Sequence, residues 1–325
     1  MKYRRLGRTA LQVSEIGFGA WAIGGNSFGP VAPEDALSGL ARAEELGCNF
    51  VDTAAVYGDS EALLGQFLRG RRDRWILATK YSGQSEGLEA TLEAQLRRLR
   101  TDRVDLYQLH WVPAGDDRSL FDRLARLRET GKLRYIGVSA YSLSNLDTSL
   151  REREVDTVQL EFGLLKPLPL ARRLDEIRRR NLGIIVRSAL KGGFLTGKYS
   201  ASTTFHDSND QRSRWPREEI ERLAVAVERF DFLKAESDSL LEAALAYPLA
   251  FPEVSTVIVS TKSASQAERN FRVREGSHLS SEDLARIEQI QETLGLFRLG
   301  WRDRFRELRR RIVPRSNRSD KRDEL

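Results

Sequence analysis

The chain has 325 residues, 40% of them hydrophobic, so it can bury a large core, and α/β barrels often reach this length as one domain. No apolar run approaches the roughly 20 residues that cross a membrane, and the N-terminus lacks the apolar core of a secretion signal, so we expect a cytoplasmic protein. The formal net charge is +6, and a single cysteine (Cys48) with three histidines argues against disulfides and against a His/Cys metal site.

Eight β-branched runs follow a predicted N-terminal β-hairpin, and a charged stretch of helical periodicity comes after each run. The hairpin takes residues 3–6 and 11–14, joined by a Gly-Arg-Thr turn. The predicted strands cover residues 15–19, 49–52, 75–79, 104–109, 135–139, 157–160, 184–187 and 256–259. Strands that alternate with helices pair in parallel, and no second block of sequence is left over. The pattern therefore predicts an α/β fold, a closed (β/α)8 TIM barrel whose floor the hairpin plugs.

Helical periodicity between the strands is strong in four segments, residues 33–46, 86–99, 120–130 and 170–180. Pro33 suits the first turn of its helix. After the last strand, residues 280–293 are predicted to form the eighth helix. We expect the basic residues 294–325 to form a C-terminal helical extension, so that residues 1–325 make a single barrel domain. Residues 188–216 are too many for an ordinary βα loop, and such long loops are often functional.

Gly17, Gly19 and Ala22 follow the first barrel strand and fit the dinucleotide-binding pattern G-x-G-x-x-A. In a Rossmann fold a helix opens at once after these residues, so that its N-terminus meets the pyrophosphate. Here the chain continues through Gly, Asn, Ser and Pro, and the helix begins only near Pro33. We therefore interpret the pattern as a Gly-rich βα loop at the top of the barrel.

Ionisable side chains follow three neighbouring predicted strands. Asp52 and Tyr57 follow the second strand, Lys80 the third and His110 the fourth. Taken singly, each has a structural explanation, as a turn cap, a loop aromatic, an ion-pair partner or a buried histidine. Active residues of TIM barrels lie at the carboxyl ends of the strands. Convergence of these four side chains on one rim therefore favours an active site.

The four residue types suit proton donation to an oxygen. The pKa of a tyrosine hydroxyl is about 10, and the ammonium of Lys80 is expected to lower the pKa of Tyr57 while Asp52 holds Lys80 in place. His110 can donate a hydrogen bond to a substrate oxygen. Such a set protonates an oxygen that gains negative charge, as in reduction of a carbonyl. It lacks a hydride source, so we expect a nicotinamide cofactor.

These residues resemble those of the aldo-keto reductase superfamily, and of its bacterial-type members. The resemblance runs from the hairpin to about residue 293, and its most specific stretches are residues 49–58, 78–80, 104–110 and 137–139. It implies a catalytic tetrad of Asp52, Tyr57, Lys80 and His110. It also implies an NADP(H)-dependent enzyme that reduces an aldehyde, ketone or sugar-like carbonyl to an alcohol, with Tyr57 as general acid. The expected partner is a small-molecule carbonyl substrate, not nucleic acid or a membrane.

The resemblance further implies that NADP(H) binds extended across the barrel mouth. The implied contacts are Gly19 and Trp21 in the first loop, Ser139 and Gln159 at the nicotinamide amide, Arg187 beside the ring, Ser188, Leu190, Gly193 and Leu195 around the pyrophosphate, Thr261, Lys262 and Ser263 at the 2′-phosphate, and Gln266 and Asn270 near the adenine. A cation and hydroxyls suit a phosphate, which favours NADP(H) over NAD(H). The substrate pocket is expected to be lined by Trp21, Phe28, Tyr81 and Trp111.

The sequence departs from the family pattern around the cofactor. Ala140 stands where an Asn usually follows the serine of the fifth strand, Arg187 replaces a stacking aromatic, and Val259-Ser260 replaces a usual Pro-Gly. Weaker cofactor contacts leave a second function open, a cofactor-binding regulatory or interaction subunit with little turnover, similar to the potassium-channel β-subunits. Its partner would contact the basic residues 298–325. A metal-dependent hydrolase or isomerase is disfavoured because the sequence lacks ligand clusters.

Overall fold

A computed structural model of the chain describes residues 1–83, 87–111, 118–234, 240–272 and 279–298. A hairpin of β1 (Tyr3–Arg5) and β2 (Gln12–Ser14) precedes eight parallel strands that close into a barrel, as predicted. The barrel strands are β3 (Ile16–Gly19), β4 (Phe50–Asp52), β5 (Ile76–Tyr81), β6 (Val104–Leu109), β7 (Leu133–Ala140), β8 (Thr157–Glu161), β9 (Gly183–Arg187) and β10 (Val254–Ser260). Each strand pairs with the next, and β10 closes the ring by pairing with β3.

The hairpin seals one end of the barrel. Its apolar residues are buried together with inward-facing residues of the strands in one cluster of Leu6, Leu11, Val13, Phe50, Ala78, Leu106 and Ile185. Gly7 has a φ of +54°, and a Cβ at this position would lie 2.0 Å from the backbone nitrogen of Gly183. Only glycine allows the hairpin turn to approach β9 this closely. The barrel is therefore open to ligands at its opposite, carboxyl end.

The described helices are α1 (Pro33–Glu45), α2 (Ser60–Phe67), α3 (Leu88–Leu99), α4 (Arg118–Glu129), α5 (Leu143–Ser149), α6 (Leu168–Ala171), α7 (Leu174–Arg180), α8 (Arg217–Glu228), α9 (Leu240–Leu249), α10 (Ala264–Phe271) and α11 (Ser281–Thr293). Helix α1 begins at Pro33, as the sequence predicts, and the loop that precedes it contains only a short 3-10 turn. The Gly-rich pattern of this loop therefore lacks the immediate helix of a Rossmann site. Within the described ranges, no helix is long and apolar enough to cross a membrane.

Two helix predictions need correction. The single helix predicted over residues 170–180 is split into α6 and α7, because the backbone of Arg173 (φ −132°, ψ 7°) is not helical. The last strand is followed first by α10, and the predicted eighth helix is α11. Helix α11 packs back on the barrel, where Gln291 Nε2 donates a hydrogen bond to the carbonyl of Leu164 at 2.9 Å. Most of the predicted C-terminal extension, residues 299–325, lies outside the described residues.

Buried aspartates connect neighbouring strands near the sealed end of the barrel. Asp105 Oδ2 accepts hydrogen bonds from the Leu77 backbone N–H at 3.0 Å and from Arg72 Nη2 at 2.8 Å. Asp156 Oδ2 accepts the Ile136 backbone N–H at 3.0 Å. Buried carboxylates need such partners because an unpaired buried charge is costly. These hydrogen bonds give Asp105 and Asp156 a structural role in the barrel. They do not explain the acidic side chains at its carboxyl end.

Helix α2 contacts α3 through Gly65, where a Cβ would lie 2.2 Å from the carbonyl oxygen of Arg98. We expect Gly65→Ala to lower the free energy of unfolding by about 2 kcal/mol, because the clash with backbone outweighs the ~1 kcal/mol gain in helix propensity. Urea denaturation followed by circular dichroism measures the change. Gln66→Ala, at an exposed position of the same helix, is the matched control and should leave stability within about 0.5 kcal/mol. Equal stability of the two variants would contradict this packing.

Candidate active site

Four ionisable side chains meet at the carboxyl end of the barrel. Asp52 ends β4, Lys80 lies in β5, His110 follows β6, and Tyr57 is in the loop after β4. Lys80 Nζ donates to the Asp52 carboxylate, to the Thr53 carbonyl at 2.9 Å and to Tyr57 Oη at 3.2 Å. Tyr57 Oη lies 3.4 Å from His110 Nε2. The structure thus brings together the four side chains that the sequence places at strand ends.

Two glutamines hold the second oxygen of Asp52. Gln108 Nε2 donates to Asp52 Oδ2 at 2.8 Å, and Gln159 Nε2 donates to the same oxygen at 2.9 Å. Gln159 Nε2 also lies 3.3 Å from Gln108 Oε1. All three side chains are buried. Gln108 has no role that was predicted from the sequence, although a glutamine inside an otherwise buried strand was a signal for it.

A second buried network fixes the backbone of β5 behind the site. Gln95 Nε2, on α3, donates to the Lys80 carbonyl at 3.0 Å and to Glu61 Oε1 at 2.8 Å. Glu61 also accepts the Thr79 hydroxyl at 2.7 Å, and Tyr107 donates its hydroxyl to Gln95 at 2.7 Å. These bonds connect β5 to the two helices outside it. They restrict movement of the strand that carries Lys80.

The pKa of Tyr57 is raised well above its ordinary value. Burial is the main cause, and the negative charge of Asp52 adds to it, while the charge of Arg187 acts in the opposite direction. The expectation that Lys80 lowers this pKa is therefore wrong in its net direction. The physical reason is that desolvation of the buried phenolate, together with the negative charge of Asp52, outweighs the attraction by a neighbouring cation. Tyr57 is a protonated hydroxyl at neutral pH.

Burial, together with the positive charges of Lys80 and Arg187, lowers the pKa of His110 to about 3. The imidazole is therefore neutral at neutral pH. Its Nδ1 lies 2.9 Å from the Ser82 hydroxyl, and its Nε2 points to Tyr57. The ring of Trp111 stacks on the imidazole, with centroids 4.4 Å apart. The site thus contains a neutral hydroxyl and a neutral imidazole beside one buried ion pair.

A cavity of about 1310 Å³ opens above these side chains. Its wall includes Asp52, Tyr57 and His110. The implied cofactor residues that reach the wall are Gly19, Trp21, Gln159, Arg187, Ser188, Leu190, Gly193, Lys262, Gln266 and Asn270. Of the residues expected around a substrate, Trp21, Phe28 and Trp111 line the cavity. The volume exceeds the range of about 300–1,000 Å³ typical of small-molecule pockets, so it suits a large ligand together with a small one.

Of the three residues expected at a 2′-phosphate, only Lys262 reaches the cavity wall. Thr261 is buried, and its hydroxyl accepts a hydrogen bond from Asn270 Nδ2 at 2.9 Å. Ser263 is the N-cap of α10, and its hydroxyl accepts the Gln266 backbone N–H at 3.4 Å. The structure does not place these two side chains at the cavity wall, and their contacts with a phosphate stay a prediction. Both hydroxyls are used in the turn that presents Lys262.

Three other expected residues do not reach the cavity wall: Ser139, Leu195 and Tyr81. Leu195 is fully buried in the hydrophobic core, and Tyr81 packs against the core from β5. The sequence analysis missed Val56 and Tyr141, which line the cavity mouth with 42% and 50% of their surface exposed. Both lie in loops directly after strands β4 and β7. Their positions after strand ends were the available signal.

The first loop and the long loop after β9 meet over the cavity. Phe28 and Asp210 form an antiparallel β-bridge, and Arg212 pairs with Asp210 while its guanidinium lies 5.1 Å from the Phe28 ring. Lys262 Nζ donates to the carbonyls of Phe28 and Gly29. The long loop is thus ordered by specific contacts. It covers part of the cavity, as its unusual length suggested.

The sequence is similar to known oxidoreductases over most of its length. A sequence model of the Aldo/keto reductase family matches residues 15–292. The chain belongs to the aldo/keto reductase family. It is 29% identical to the aldo-keto reductase YhdN of Bacillus subtilis, with 90% of this chain and 94% of that protein covered. It is 30% identical to the L-galactose dehydrogenase of Arabidopsis thaliana, with 90% and 95% covered.

Solved structures of aldo/keto reductases share the fold. The glycerol dehydrogenase of Gluconobacter oxydans superimposes with a TM-score of 0.76 at 25% identity, covering 92% of this chain and 98% of that one. The holo form of an aldo-keto reductase from Bacillus halodurans superimposes with a TM-score of 0.73 at 26% identity, covering 89% and 96%. Members of the family are oxidoreductases that generally use NAD(P)H.

The residues of this aldo/keto reductase fit a nicotinamide amide. The hydroxyl of Ser139 is buried and has no hydrogen-bond partner among the described residues, whereas buried polar atoms are normally paired. Ser139 is in register with Gln159 of the neighbouring strand, which lines the cavity. Because Gln159 Nε2 already donates to Asp52 and Gln108, its Oε1 is the atom left for a ligand N–H. A carboxamide has an N–H that suits Gln159 Oε1 and a carbonyl that suits the Ser139 hydroxyl.

The pKa of about 3 predicts that His110 stays neutral wherever the protein is folded. NMR of the imidazole carbons, assigned by comparison with His110→Gln, should show no titration between pH 8 and about pH 4. The unfolded state takes up a proton near pH 6.5 and the folded state does not, so this histidine destabilises the fold as pH falls below that value. His110→Gln should therefore lose less stability than the wild type between pH 7 and about pH 4. A titration midpoint near 6.5 would contradict the buried, neutral imidazole.

Proposed function

We propose that the chain is an NADP(H)-dependent reductase of an aldehyde, a ketone or a sugar-like carbonyl, with Tyr57 as general acid. The observation that carries this proposal is the position of Tyr57 Oη, 3.2 Å from Lys80 Nζ and 3.4 Å from His110 Nε2 at the cavity wall. A hydroxyl beside an ammonium is a proton donor whose conjugate base is stabilised where it forms. The names of the relatives, reductases and dehydrogenases, support an enzyme over a regulatory subunit.

The proton transfer follows from the arrangement of the side chains. When bound, a reduced nicotinamide supplies the hydride to the carbonyl carbon. Tyr57 donates its proton to the carbonyl oxygen as negative charge develops there. The Lys80 ammonium stabilises the phenolate that remains, and Asp52 keeps Lys80 in place. His110 donates a hydrogen bond from Nε2 to the same oxygen and orients it, with Nδ1 accepting from the Ser82 hydroxyl.

The raised pKa of Tyr57 keeps its hydroxyl protonated at neutral pH. Reduction starts from the protonated hydroxyl, which is the form that burial and Asp52 stabilise. Oxidation of an alcohol starts from the phenolate, which this environment disfavours. The reverse reaction is therefore expected to need alkaline pH.

We further propose how the chain holds the cofactor. Ser139 and Gln159 bind the nicotinamide amide, Ser188, Leu190 and Gly193 line the path of the pyrophosphate, and Lys262 binds the 2′-phosphate, with Gln266 and Asn270 beside the adenine. Lys262 supports NADP(H) as the cofactor, because an ammonium with part of its surface in the cavity suits a phosphate dianion. Leu195, Thr261 and Ser263 support these residues from inside the wall.

The substrate region combines aromatic surface with the proton donor. The Trp21 ring lies 5.9 Å from the Tyr57 ring and 5.3 Å from the Phe28 ring, and Trp111 stacks on His110. Two relatives bear the names of a sugar and a polyol dehydrogenase, which supports a sugar-like carbonyl. We place this small-molecule reductase, as a single barrel domain, in the cytoplasm, where its buried Cys48 is reduced.

Tyr57→Phe tests the general acid. The variant keeps the aromatic ring and removes the proton, so we expect kcat for a panel of aldehydes to fall at least about 100-fold. NADPH affinity, followed by quenching of tryptophan fluorescence, should change by less than about threefold. Tyr81→Phe removes a hydroxyl that lies off the cavity wall and is the matched control, with an expected rate within about twofold of wild type. Full activity of Tyr57→Phe would show that another group supplies the proton.

Lys262→Met separates two roles of one side chain. If Lys262 binds the 2′-phosphate, the Kd of NADPH should rise about tenfold or more while the Kd of NADH changes by less than about twofold. If its main role is to hold the carbonyls of Phe28 and Gly29, both cofactors should lose affinity equally. Titration of each cofactor by fluorescence distinguishes the two. Equal loss would remove the support for NADP(H) over NAD(H).

A further inference from the structure

Arg187 carries a positive charge into the cavity without an acidic partner. It ends β9 and lines the cavity wall, and its Nε is buried without a hydrogen-bond partner among the described residues. Its guanidinium lies 4.1 Å from the centre of the Tyr141 ring, and Nη2 donates to the Ala140 carbonyl at 3.3 Å. Over the described ranges, no acidic side chain forms an ion pair with it.

The acid nearest in register is already paired. Glu161, opposite Arg187 on β8, accepts Lys191 Nζ at 2.7 Å. The charge of Arg187 also acts on Glu161, but more than one cation shares this single carboxylate, so a net positive charge remains. Burial is the main cause of the lowered pKa of His110, and the charges of Lys80 and Arg187 act in the same direction.

A guanidinium in this position is suited to an anionic ligand. A buried donor such as Arg187 Nε normally has a hydrogen-bond partner, and the rigid fork of arginine matches the two oxygens of a carboxylate. Stacking on Tyr141 holds the guanidinium plane and leaves its N–H groups for a ligand in the cavity. The exposed rings of Trp111 and Tyr141 provide an aromatic surface on the same side of the cavity mouth.

We propose that Arg187 forms an anion subsite that selects carbonyl substrates carrying a carboxylate. The carbonyl meets Tyr57 and His110, and the carboxylate of the same molecule pairs with Arg187. This proposal rests on the proposed reductase function. The same chemistry has a second source, since a phosphate of the cofactor is also an anion, and the test below separates the two.

The test compares two substrates that differ only in charge. The probes are para-carboxybenzaldehyde and its neutral methyl ester, each with NADPH, and the variants are Arg187→Met and Arg187→Lys in the full chain. The wild type should prefer the acid. Arg187→Met should lower the ratio of kcat/KM for the acid to kcat/KM for the ester about tenfold or more. Both substrates share the cofactor and the proton donors, so an effect of Arg187 on those groups cancels in this ratio. Arg187→Lys should recover part of the preference.

A control removes a different cation from the same cavity. Arg269 also lines the wall, and its guanidinium bonds to the Ser265 hydroxyl on α10. Arg269→Met should leave the ratio of kcat/KM between acid and ester unchanged. A similar change of this ratio in both variants would reduce the effect to the overall charge of the cavity and overturn the proposal.

Other outcomes also decide the question. If kcat/KM for the acid and for the ester fall equally in Arg187→Met while NADPH affinity falls about tenfold, the anion belongs to the cofactor and the proposal is overturned.

If the wild type reduces neither probe, the proposed function fails. Calorimetric titration of para-hydroxymethylbenzoate into the NADP-bound protein still tests the subsite. Binding to the wild type that Arg187→Met weakens about tenfold supports the subsite without turnover. Equal binding to both proteins overturns it.

Discussion

The buried ion pair between Lys80 and Asp52 is the constraint on which the candidate site depends. Neither side chain is more than 2% exposed, and a charge buried in this way costs several kcal/mol unless its partner is fixed. The remaining bonds of Lys80 go to the Thr53 carbonyl and to Tyr57, and the second oxygen of Asp52 accepts from two glutamines. Removing either partner leaves an uncompensated charge in the barrel. The pair therefore fixes the position of Tyr57 as well as its own.

This pair also connects strands that are distant in sequence. Asp52 on β4 is bonded to side chains from β5, β6 and β8, so four strands share one carboxylate. Gln159 belongs both to this network and to the cavity wall. A ligand that contacts its amide therefore contacts a partner of Asp52, the carboxylate that positions Lys80. Behind β5, the bonds of Gln95 hold the strand from the helix side. The barrel provides the strand ends, and the polar network determines their relative positions.

The strand pattern and the order of the strand-end residues were predictable from the sequence, because alternation of strand and helix closes a barrel and brings all carboxyl ends to one rim. The sequence does not reveal which polar atoms already form hydrogen bonds within the protein. Ser263 and Thr261 look like phosphate ligands in a linear motif, but one caps a helix and the other bonds to Asn270.

The same limitation explains the other differences. Tyr57 next to a lysine predicts a lowered pKa, yet burial and the negative charge of Asp52 reverse the direction. Gln108 has no recognisable motif, and its importance is visible only from its contact with Asp52. Helix 170–180 has continuous periodicity in the sequence, but the non-helical backbone of Arg173 divides it.

The charge balance of the site explains why its two donors are neutral. Lys80 is compensated by Asp52, so a protonated His110 would be a second, uncompensated cation in a buried region, and its pKa falls accordingly. A phenolate at Tyr57 would be a second buried anion near Asp52, and its pKa rises. Both groups therefore keep a proton to share with an oxygen that gains negative charge, where donors held in place by the protein act most strongly. One buried ion pair thus prepares the site for a developing anion. In the proposed anion subsite, Arg187 extends the same preference for negative charge across the cavity.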